Sequence, residues 1–361
     1  MREQSAQEKS FDVAVVISSK FRKSLLRAVR SVFMQDFAGR IQVLIGFDLP
    51  LGDPAQLDLL HAECPPHIKL TIVDLGYSTS RRHGGIYSNS YGGALPTILT
   101  YAANSKFVAY LDDDDWYGRD HLSSLLSAIA GKHWAFSYRW LFDDQTGWAI
   151  CRDEWDSVGP GRGINKDRFG GFACPSTLMV DKEACHFILP LWSIAAFADG
   201  SGSDRHVLKE LFKHPWGASG MYSCHFEMTQ RNINDNHHVR EFLARNIQWT
   251  INRSLILEVE RLAAVALECF ERHAIDDTVA GCRKVLAINP YHAESLHLLG
   301  LAEGEAESMD AAAGHLREAI AIDDRRGVYV SSLASILDRK GDADEAASVR
   351  SLMQRRLFLD Q

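Results

Sequence analysis

Apolar residues in the first third of the chain follow two alternating periods. Short, β-branched apolar runs predict strands that are buried on both faces; they occupy residues 11–19, 41–48, 68–76 and 106–111. Residues 23–37 and 95–105 instead carry apolar side chains at helical spacing. Strands that alternate with helices predict a mainly parallel α/β sheet, and ligands of such sheets bind beyond the carboxyl ends of the strands.

Residues 76–93, rich in glycine, serine and tyrosine, have no apolar period and predict a flexible loop. Two arginines of this loop, Arg81 and Arg82, have two interpretations. They either bind a diphosphate or belong to an ordinary solvated loop, and the second interpretation is favoured.

The last hundred residues lose the strand pattern and repeat with a period of 34 residues, which separates Ala312 from Ala346. The repeat resembles the tetratricopeptide repeat, in which helix pairs stack side by side. Three copies are predicted, although Asp324 replaces the usual closing proline of the middle copy and Thr278 stands where alanine is common in the first. The alternative is a generic helical hairpin tail. The predicted packing and closing positions are Leu262, Val265, Ala266 and Pro290, then Leu296, Leu299, Gly300, Ala312, Leu316 and Ala319, then Leu333, Ala334, Gly341 and Ala346.

Length, net charge, cysteine content and hydropathy limit the classes of protein to which the chain can belong. The chain has 361 residues, enough for two domains, and its net charge of −8 argues against a nucleic-acid binder. Seven scattered cysteines without a CxxC pair indicate reduced thiols. The N-terminus is polar, and no apolar run approaches the roughly 20 residues of a membrane-spanning helix. We therefore expect a cytoplasmic protein with no membrane span and no nucleic-acid partner.

Four consecutive aspartates, residues 112–115, follow the last predicted strand. Adjacent carboxylates repel one another unless a cation or water compensates their charge. Two hard oxygen ligands on a short turn, with positions left for phosphate oxygens, suit Mg²⁺ or Mn²⁺. Such a metal stabilises the charge that grows on a leaving diphosphate. The alternative is a solvated acidic turn before the helix predicted in residues 118–130.

The order of these motifs resembles the family 2 glycosyltransferases of the GT-A fold. The segment "AVRSVFMQDF", an acid at the end of the second strand and the run "LDDDDW" carry the resemblance. It covers about two thirds of the chain and implies a nucleotide-sugar donor, most often a UDP-sugar, with Mn²⁺ or Mg²⁺ as cofactor. Residues 20–22 and 96–97 depart from the family's pattern.

The resemblance also implies roles for individual residues. Asp48 would hold the base or ribose, and Asp114 would bind the metal directly, with Asp112 at the ribose or the metal. A frame shifted to Asp113 and Asp115 stays open. The full set of implied nucleotide-sugar ligands is Ser18, Ser19, Asp48, Asp112 and Asp113.

An inverting transferase also needs a base that deprotonates the acceptor. By resemblance this base is Asp204 in "DGSGSDRHVLKEL", with Asp199 as the second candidate. The alternative is that Asp204 only caps the following helix. A late histidine completes the metal shell in some relatives, so His225 is a candidate metal ligand, whereas His237 and His238 are expected at the surface.

The acceptor side carries weaker signals. The segment "GGFACPSTLMVDKEAC" resembles the floor of an acceptor pocket, and we expect one tryptophan to stack on a sugar. The candidates are Trp116, Trp140, Trp148 and Trp155.

The sequence thus predicts a GT-A α/β domain in residues 1–250 and an all-α repeat domain in residues 251–361. The predicted function is a metal-dependent inverting glycosyltransferase that moves a sugar from a nucleotide-sugar to a glycan or protein acceptor. The repeats would recruit an acceptor protein, hold a partner or form a homo-oligomer. One alternative is a catalytically retired transferase fold that acts as an adaptor. Another is a nucleotidyltransferase, although the first strand lacks that class's glycine-rich loop.

Overall fold

The computed structural model describes residues 10–49, 53, 55–235 and 237–354. These residues form two compact units. The first comprises the described residues up to 139 together with 152–226, and the second comprises 140–151 with the described residues from 227 onward. The two compact units meet between residues 226 and 227. The domain boundary between residues 250 and 251 stays a prediction.

Four parallel strands form the centre of the first unit, in the order β3-β2-β1-β4. Their bounds are β1 (Phe11–Ser19), β2 (Ile41–Phe47), β3 (Ile68–Asp74) and β4 (Ser105–Tyr110). Pairing places Ser19 opposite Phe47 and Phe47 opposite Asp74, so these strands end at one edge. The helices between them are α1 (Ser24–Phe33), α2 (Ala55–Glu63) and α3 (Leu95–Ala102).

The remainder of the first unit adds antiparallel strands and three helices. The strands are β5 (Trp116–Tyr117), β6 (Trp134–Asp143), β7 (Ala149–Arg152), β8 (Gly159–Pro160), β9 (Gly171–Phe172), β10 (Leu178–Asp181) and β11 (Trp216–Met228), and the helices are α4 (His121–Ala128), α5 (Lys166–Phe169) and α6 (Ser203–Leu211). The sheet continues from β4 through β10, β6 and β11 to β5, with β10 antiparallel to both of its neighbours. The second unit includes residues 140–143 of β6, residues 149–151 of β7 and residues 227–228 of β11.

Alternation along β1 divides the core into two layers. Val13, Val15 and Ile17 pack on one face with α1, and Ala14 and Val16 pack on the other face with α3. Both faces of a parallel sheet are buried in this way because its crossover helices cover them. The predicted α/β class is therefore confirmed.

Apart from the hairpin of residues 140–151 and the end of β11, the second unit is mainly helical. Its helices are α7 (Gln230–Asp235), α8 (His237–Asn246), α9 (Arg253–Glu271), α10 (Ile275–Ile288), α11 (Ala293–Glu305), α12 (Met309–Ile322), α13 (Gly327–Lys340) and α14 (Ala343–Gln354). Trp148 of the hairpin packs edge-on against Trp249 and His292, with ring centroids 5.8 and 4.8 Å away. Trp140 meets Tyr291 in the same manner at 5.2 Å.

The predicted all-α repeat region is confirmed as three helix pairs, α9–α10, α11–α12 and α13–α14. The packing positions of the second copy are buried, and Leu316 and Ala312 of α12 pack closely against Gly300 of α11. The prediction for Val265 is wrong because its side chain is 44% exposed. The adjacent Ala266 faces α10, where it packs against Gly281.

The loop of residues 76–93 is more regular than predicted. It contains a short 3-10 helix, Arg81–His83, whose N-terminus is capped by the Ser80 side chain. The buried Asn89 side chain donates a 2.8 Å hydrogen bond to the Trp192 carbonyl oxygen. These bonds fix the loop to the body of the first unit.

The structure also bears on the state of the cysteines and on the presence of membrane-spanning helices. All seven cysteines lie in the described part of the chain, and none forms a disulfide. Among the described residues, no helix combines the length and the apolar character needed to cross a bilayer.

Candidate functional site

The aspartate run forms one tight turn at the carboxyl end of β4. The Asp115 N–H donates a 3.1 Å hydrogen bond to the Asp112 carbonyl oxygen, which closes the turn. β4 lies beside β1, so the run lies next to Ser19 at the end of that strand. The turn therefore occupies the strand edge where α/β sheets bind ligands.

Two of the four aspartates point into the protein. Asp113 is 5% exposed and accepts a 2.6 Å hydrogen bond from Ser19 Oγ. Asp115 is 1% exposed and accepts a 2.6 Å hydrogen bond from Ser176 Oγ. Ser176 Oγ also accepts the N–H of Asp112 at 3.1 Å. Asp113 and Asp115 therefore hold the turn in place.

The other two aspartates, Asp112 and Asp114, keep access to solvent. Desolvation by the surrounding protein, together with repulsion from Asp114, Asp113 and Asp204, raises the pKa of Asp112 to about 7. Arg22 opposes this shift only in part. The turn thus carries more negative charge than the neighbouring side chains compensate, which favours binding of a cation.

Arg22 is the cation that contacts the run directly. Its Nη1 forms an ion pair with Asp114 Oδ2 and lies 3.4 Å from Asp113 Oδ1. Burial lowers the pKa of Arg22, but the charges of Asp113 and Asp114 outweigh burial and raise it. From the sequence, Arg22 is distinguished only as one of residues 20–22, which depart from the pattern of the family 2 glycosyltransferases.

A second arginine and two rings pack beside the turn. Arg27 Nη2 donates a 2.5 Å hydrogen bond to the Asp114 carbonyl oxygen, and its guanidinium lies 4.1 Å from the ring centroid of Trp116. Trp116 in turn stacks on His225, with an interplanar angle of 2° and centroids 5.2 Å apart. His225 is 2% exposed, so the structure places it in this stack, and its role as a metal ligand stays a prediction. In the described residues, no group of three or more His, Cys, Asp and Glu side chains is arranged to hold a metal.

A further histidine behind the stack was missed by the sequence analysis. His121 is fully buried, stacks on Tyr117 at 3.7 Å and shares a 3.0 Å hydrogen bond with Ser223 Oγ. Burial, together with the nearby His225, lowers the pKa of His121 to about 3. His121 is therefore a neutral structural residue at physiological pH.

Asp48 lies where β2 ends, beside the end of β1. Its N–H donates a 3.0 Å hydrogen bond to the Ser19 carbonyl oxygen, and its side chain is 4% exposed. Oδ2 of Asp48 is buried and has no hydrogen-bond partner among the described residues. Ser18 is only partly buried and lies next to Gly92 of the loop 76–93. A buried acceptor that lacks a protein donor is a position that a ligand N–H or O–H can satisfy.

Asp204 lies in the first turn of α6, close enough to Asp112 to raise that residue's pKa. The N-cap of α6 is Gly202, in the left-handed conformation with φ = 80°, so Asp204 is not the N-cap. Burial raises the pKa of Asp204, although Arg205 and backbone N–H groups oppose the shift. The exposed Asp199 accepts hydrogen bonds from the Ser201 N–H and Oγ at 2.9 and 2.7 Å. The structure thus brings Asp204 to the aspartate run and uses Asp199 in a local turn.

The four candidate tryptophans have different surroundings. Trp116 belongs to the stack behind the run, and Trp140 and Trp148 pack within the second unit. Trp155 is partly exposed, in a segment where Asp153 accepts the N–H groups of Trp155 and Asp156. Trp155 is therefore the candidate in the first unit that is not fully buried.

No family model matches this sequence, and no curated protein matches it. Among solved structures, S. aureus TarS 1-349 aligns with 95% of this chain and 91% of its own, with 13% identity and a TM-score of 0.43. The same protein in complex with UDP-GlcNAc aligns over 95% and 92%, with 12% identity and a TM-score of 0.42. A mutant of Thermobaculum terrenum O-GlcNAc transferase shares 28% identity over 28% of this chain, with a TM-score of 0.27; this chain spans 20% of its length. These similarities are distant in sequence and in structure.

Proposed function

We propose that the protein is a metal-dependent inverting glycosyltransferase with a nucleotide-sugar donor, most simply a UDP-sugar. The observation that supports this most directly is the arrangement of carboxylates at one strand edge. Asp48 offers an unsatisfied buried acceptor, Asp112 and Asp114 carry excess negative charge, and the charge of Asp204 reaches Asp112. Binding of the base or ribose requires a hydrogen-bond acceptor, binding of a metal requires excess negative charge, and removal of a proton requires a carboxylate near the metal site.

In this proposal Asp48 accepts a hydrogen bond from the base or ribose of the donor. Ser18, which is partly buried near the end of β1 and next to Gly92, would be a further ligand of the donor. Ser19 and Asp113 act indirectly, because their mutual hydrogen bond holds the turn. A hydrogen-bond acceptor with no partner in the protein discriminates strongly, since a ligand lacking the matching donor leaves it unsatisfied.

Asp112 and Asp114 would hold Mn²⁺ or Mg²⁺, and diphosphate oxygens would complete its coordination. Magnesium commonly binds through one or two carboxylates together with substrate phosphates. A metal held there stabilises the charge on the departing nucleoside diphosphate. The raised pKa of Asp112 comes first from desolvation and then from repulsion by neighbouring carboxylates, and a divalent cation would relieve that repulsion.

Asp204 would take the proton from the acceptor hydroxyl. A general base works best when its pKa lies near the operating pH, and burial raises the pKa of Asp204 in that direction. The acceptor would be a glycan or a protein, with Trp155 as the stacking surface for a sugar ring. The stacked repeats would bind a protein acceptor, a partner or a second copy of the chain.

The test uses the full chain and a panel of nucleotide-sugars with and without Mn²⁺. Thermal stabilisation identifies the donor, since ligand at about 100 times its dissociation constant adds roughly 2.7 kcal/mol. Turnover of that donor is then compared in Asp204→Asn and in Asp199→Asn, a matched change at an exposed carboxylate. We expect Asp204→Asn to lower kcat at least ~100-fold with unchanged donor affinity, and Asp199→Asn to behave as wild type. If no donor stabilises the chain, or Asp204→Asn retains full turnover, the proposal is wrong.

A further inference from the structure

We propose that Arg22 is an exchangeable counter-ion that couples metal binding to nucleotide binding. Without ligands it neutralises Asp114 and Asp113; when a divalent cation takes Asp114, Arg22 transfers to the diphosphate. This inference rests on the proposed function, because it requires a metal and a diphosphate at the aspartate run.

The contacts of Arg22 occupy the carboxylate that the proposed metal needs. Among the described residues, Arg22 is the ion-pair partner of Asp114, and it also reaches Asp113 Oδ1 at 3.4 Å. A cation that binds Asp114 must therefore displace the guanidinium or share the carboxylate with it. Asp113 tolerates the departure of Arg22 because Ser19 Oγ still donates to Asp113 Oδ2.

The position of Arg22 permits the exchange. It lies between β1 and α1 in neither element, and its side chain is 49% exposed. Phe21, with φ = 59° and its ring stacked 3.7 Å from Phe47, fixes the backbone just before it. The side chain can therefore swing while its anchor stays in place. A guanidinium binds phosphate through the same paired N–H groups that it offers to a carboxylate.

Arg27 cannot take this role. Its guanidinium lies over the Trp116 ring and donates to the Asp114 carbonyl oxygen, which no metal at the carboxylate displaces. Arg27 thus stabilises the backbone of the aspartate turn, whereas Arg22 neutralises the charge of the aspartate side chains.

The exchange makes two ligands cooperative. Metal alone must break or weaken the ion pair between Arg22 and Asp114, so its affinity is reduced. When a diphosphate is present, the displaced guanidinium of Arg22 binds the diphosphate, and this new ion pair offsets the lost one. Such coupling is reciprocal, so the metal must raise nucleotide affinity by the same factor.

The test measures Mn²⁺ binding by calorimetry or by the paramagnetic resonance of free Mn²⁺, alone and with saturating UDP. It compares the wild-type chain with Arg22→Gln, Arg22→Lys and the control Arg30→Gln. Arg30 lies on α1 and pairs with Glu63 through two hydrogen bonds of 2.7 and 2.6 Å, away from the aspartate run. Circular dichroism and melting temperature verify that each variant is folded.

We expect Arg22→Gln to bind Mn²⁺ alone about tenfold more tightly than the wild type, and UDP to enhance that affinity about tenfold less. Arg22→Lys should keep the weak affinity for Mn²⁺ alone, because it retains the charge, and should lose part of the enhancement. Arg30→Gln should match the wild type. Unchanged or weaker Mn²⁺ affinity in Arg22→Gln overturns the exchange while UDP binding still supports the proposed function. A wild-type chain that binds neither Mn²⁺ nor UDP overturns both.

Discussion

Ser176 Oγ and Asp115 Oδ2 are joined by a buried hydrogen bond of 2.6 Å at the centre of the aspartate turn. The same hydroxyl accepts the N–H of Asp112, so one serine fixes both ends of the turn. This arrangement divides the four aspartates into an inward pair and an outward pair. It favours the frame of Asp112 and Asp114 for ligand binding over the frame of Asp113 and Asp115.

The inward pair should matter for stability and the outward pair should not. Asp115→Ala leaves the buried Ser176 hydroxyl without its acceptor, so we expect the free energy of unfolding to fall by about 1–3 kcal/mol. Asp114→Ala removes a partly exposed side chain and should change it by less than about 0.5 kcal/mol. Urea unfolding measures both values. Equal effects would mean that the two aspartates are not divided as the structure shows.

Ligand binding should respond in the opposite way. We expect Asp114→Ala to abolish the Mn²⁺-dependent part of UDP binding while the protein stays folded, because the proposed metal loses a carboxylate ligand. Titration calorimetry of UDP with Mn²⁺ measures this directly, and titration without Mn²⁺ is the control. Equal Mn²⁺-dependent affinity in mutant and wild type would remove Asp114 from the metal site.

The period of apolar residues predicted the parallel strands because burial on both faces leaves a continuous apolar run that is readable in sequence. The same period could not show which of the four aspartates are buried, because four identical residues do not reveal which of them contact Ser19 or Ser176. Those serines are 94 and 61 residues away along the chain. The hairpin of residues 140–151 was missed for the same reason, because its partners Trp249 and His292 are distant in sequence.

Asp48 gives a prediction about nucleotide recognition. Asp48→Asn replaces one acceptor oxygen by an NH₂ donor at a position where Oδ2 has no partner in the described protein. A ligand N–H or O–H would then face another donor. We expect nucleotide affinity to fall by roughly 1–3 kcal/mol, with little change in melting temperature. Calorimetry with UDP measures the loss, and unchanged affinity would mean that Oδ2 does not contact the nucleotide.

His121 gives a prediction about pH. Its folded-state pKa of about 3 lies below the ordinary value near 6.5, so the unfolded chain binds a proton that the folded chain rejects. The contribution is constant above the unfolded pKa, and stability is lost as pH falls from about 6.5 toward 3. At pH 5 the loss from this residue should be about 2 kcal/mol.

The measurement is urea unfolding between pH 7.5 and 5 for the wild type and for His121→Asn. The substitution lowers stability at every pH, because it removes a ring that stacks on Tyr117. The informative quantity is therefore the slope, which should be shallower in the variant by up to about 1.4 kcal/mol per pH unit. Parallel slopes would show that His121 titrates normally in the folded protein.

The last prediction concerns a chain that ends after Asn252. The sequence predicts a separate α/β domain in residues 1–250, but the hairpin of residues 140–151 belongs to the second unit. Truncation removes Tyr291 and His292, the ring partners of Trp140 and Trp148. Each newly exposed aromatic side chain forfeits about 1.5–3 kcal/mol of burial. We therefore expect the truncated chain to melt about 5–15 °C lower than the full chain and to bind a hydrophobic dye.

Tyr291→Ala in the full chain separates loss of the hairpin contact from loss of the repeats. It removes the ring against Trp140 but keeps His292, whose Nδ1 accepts the Ser295 N–H and caps α11. We expect Tyr291→Ala to lower the melting temperature by part of the amount seen for the truncated chain, and to change the fluorescence of Trp140. The matched control is Tyr101→Ala, which removes an equally large side chain that is 61% exposed on α3. If the truncated chain is as stable as the full one and Tyr291→Ala behaves like Tyr101→Ala, the hairpin does not depend on the helical unit, and the boundary predicted from sequence is right.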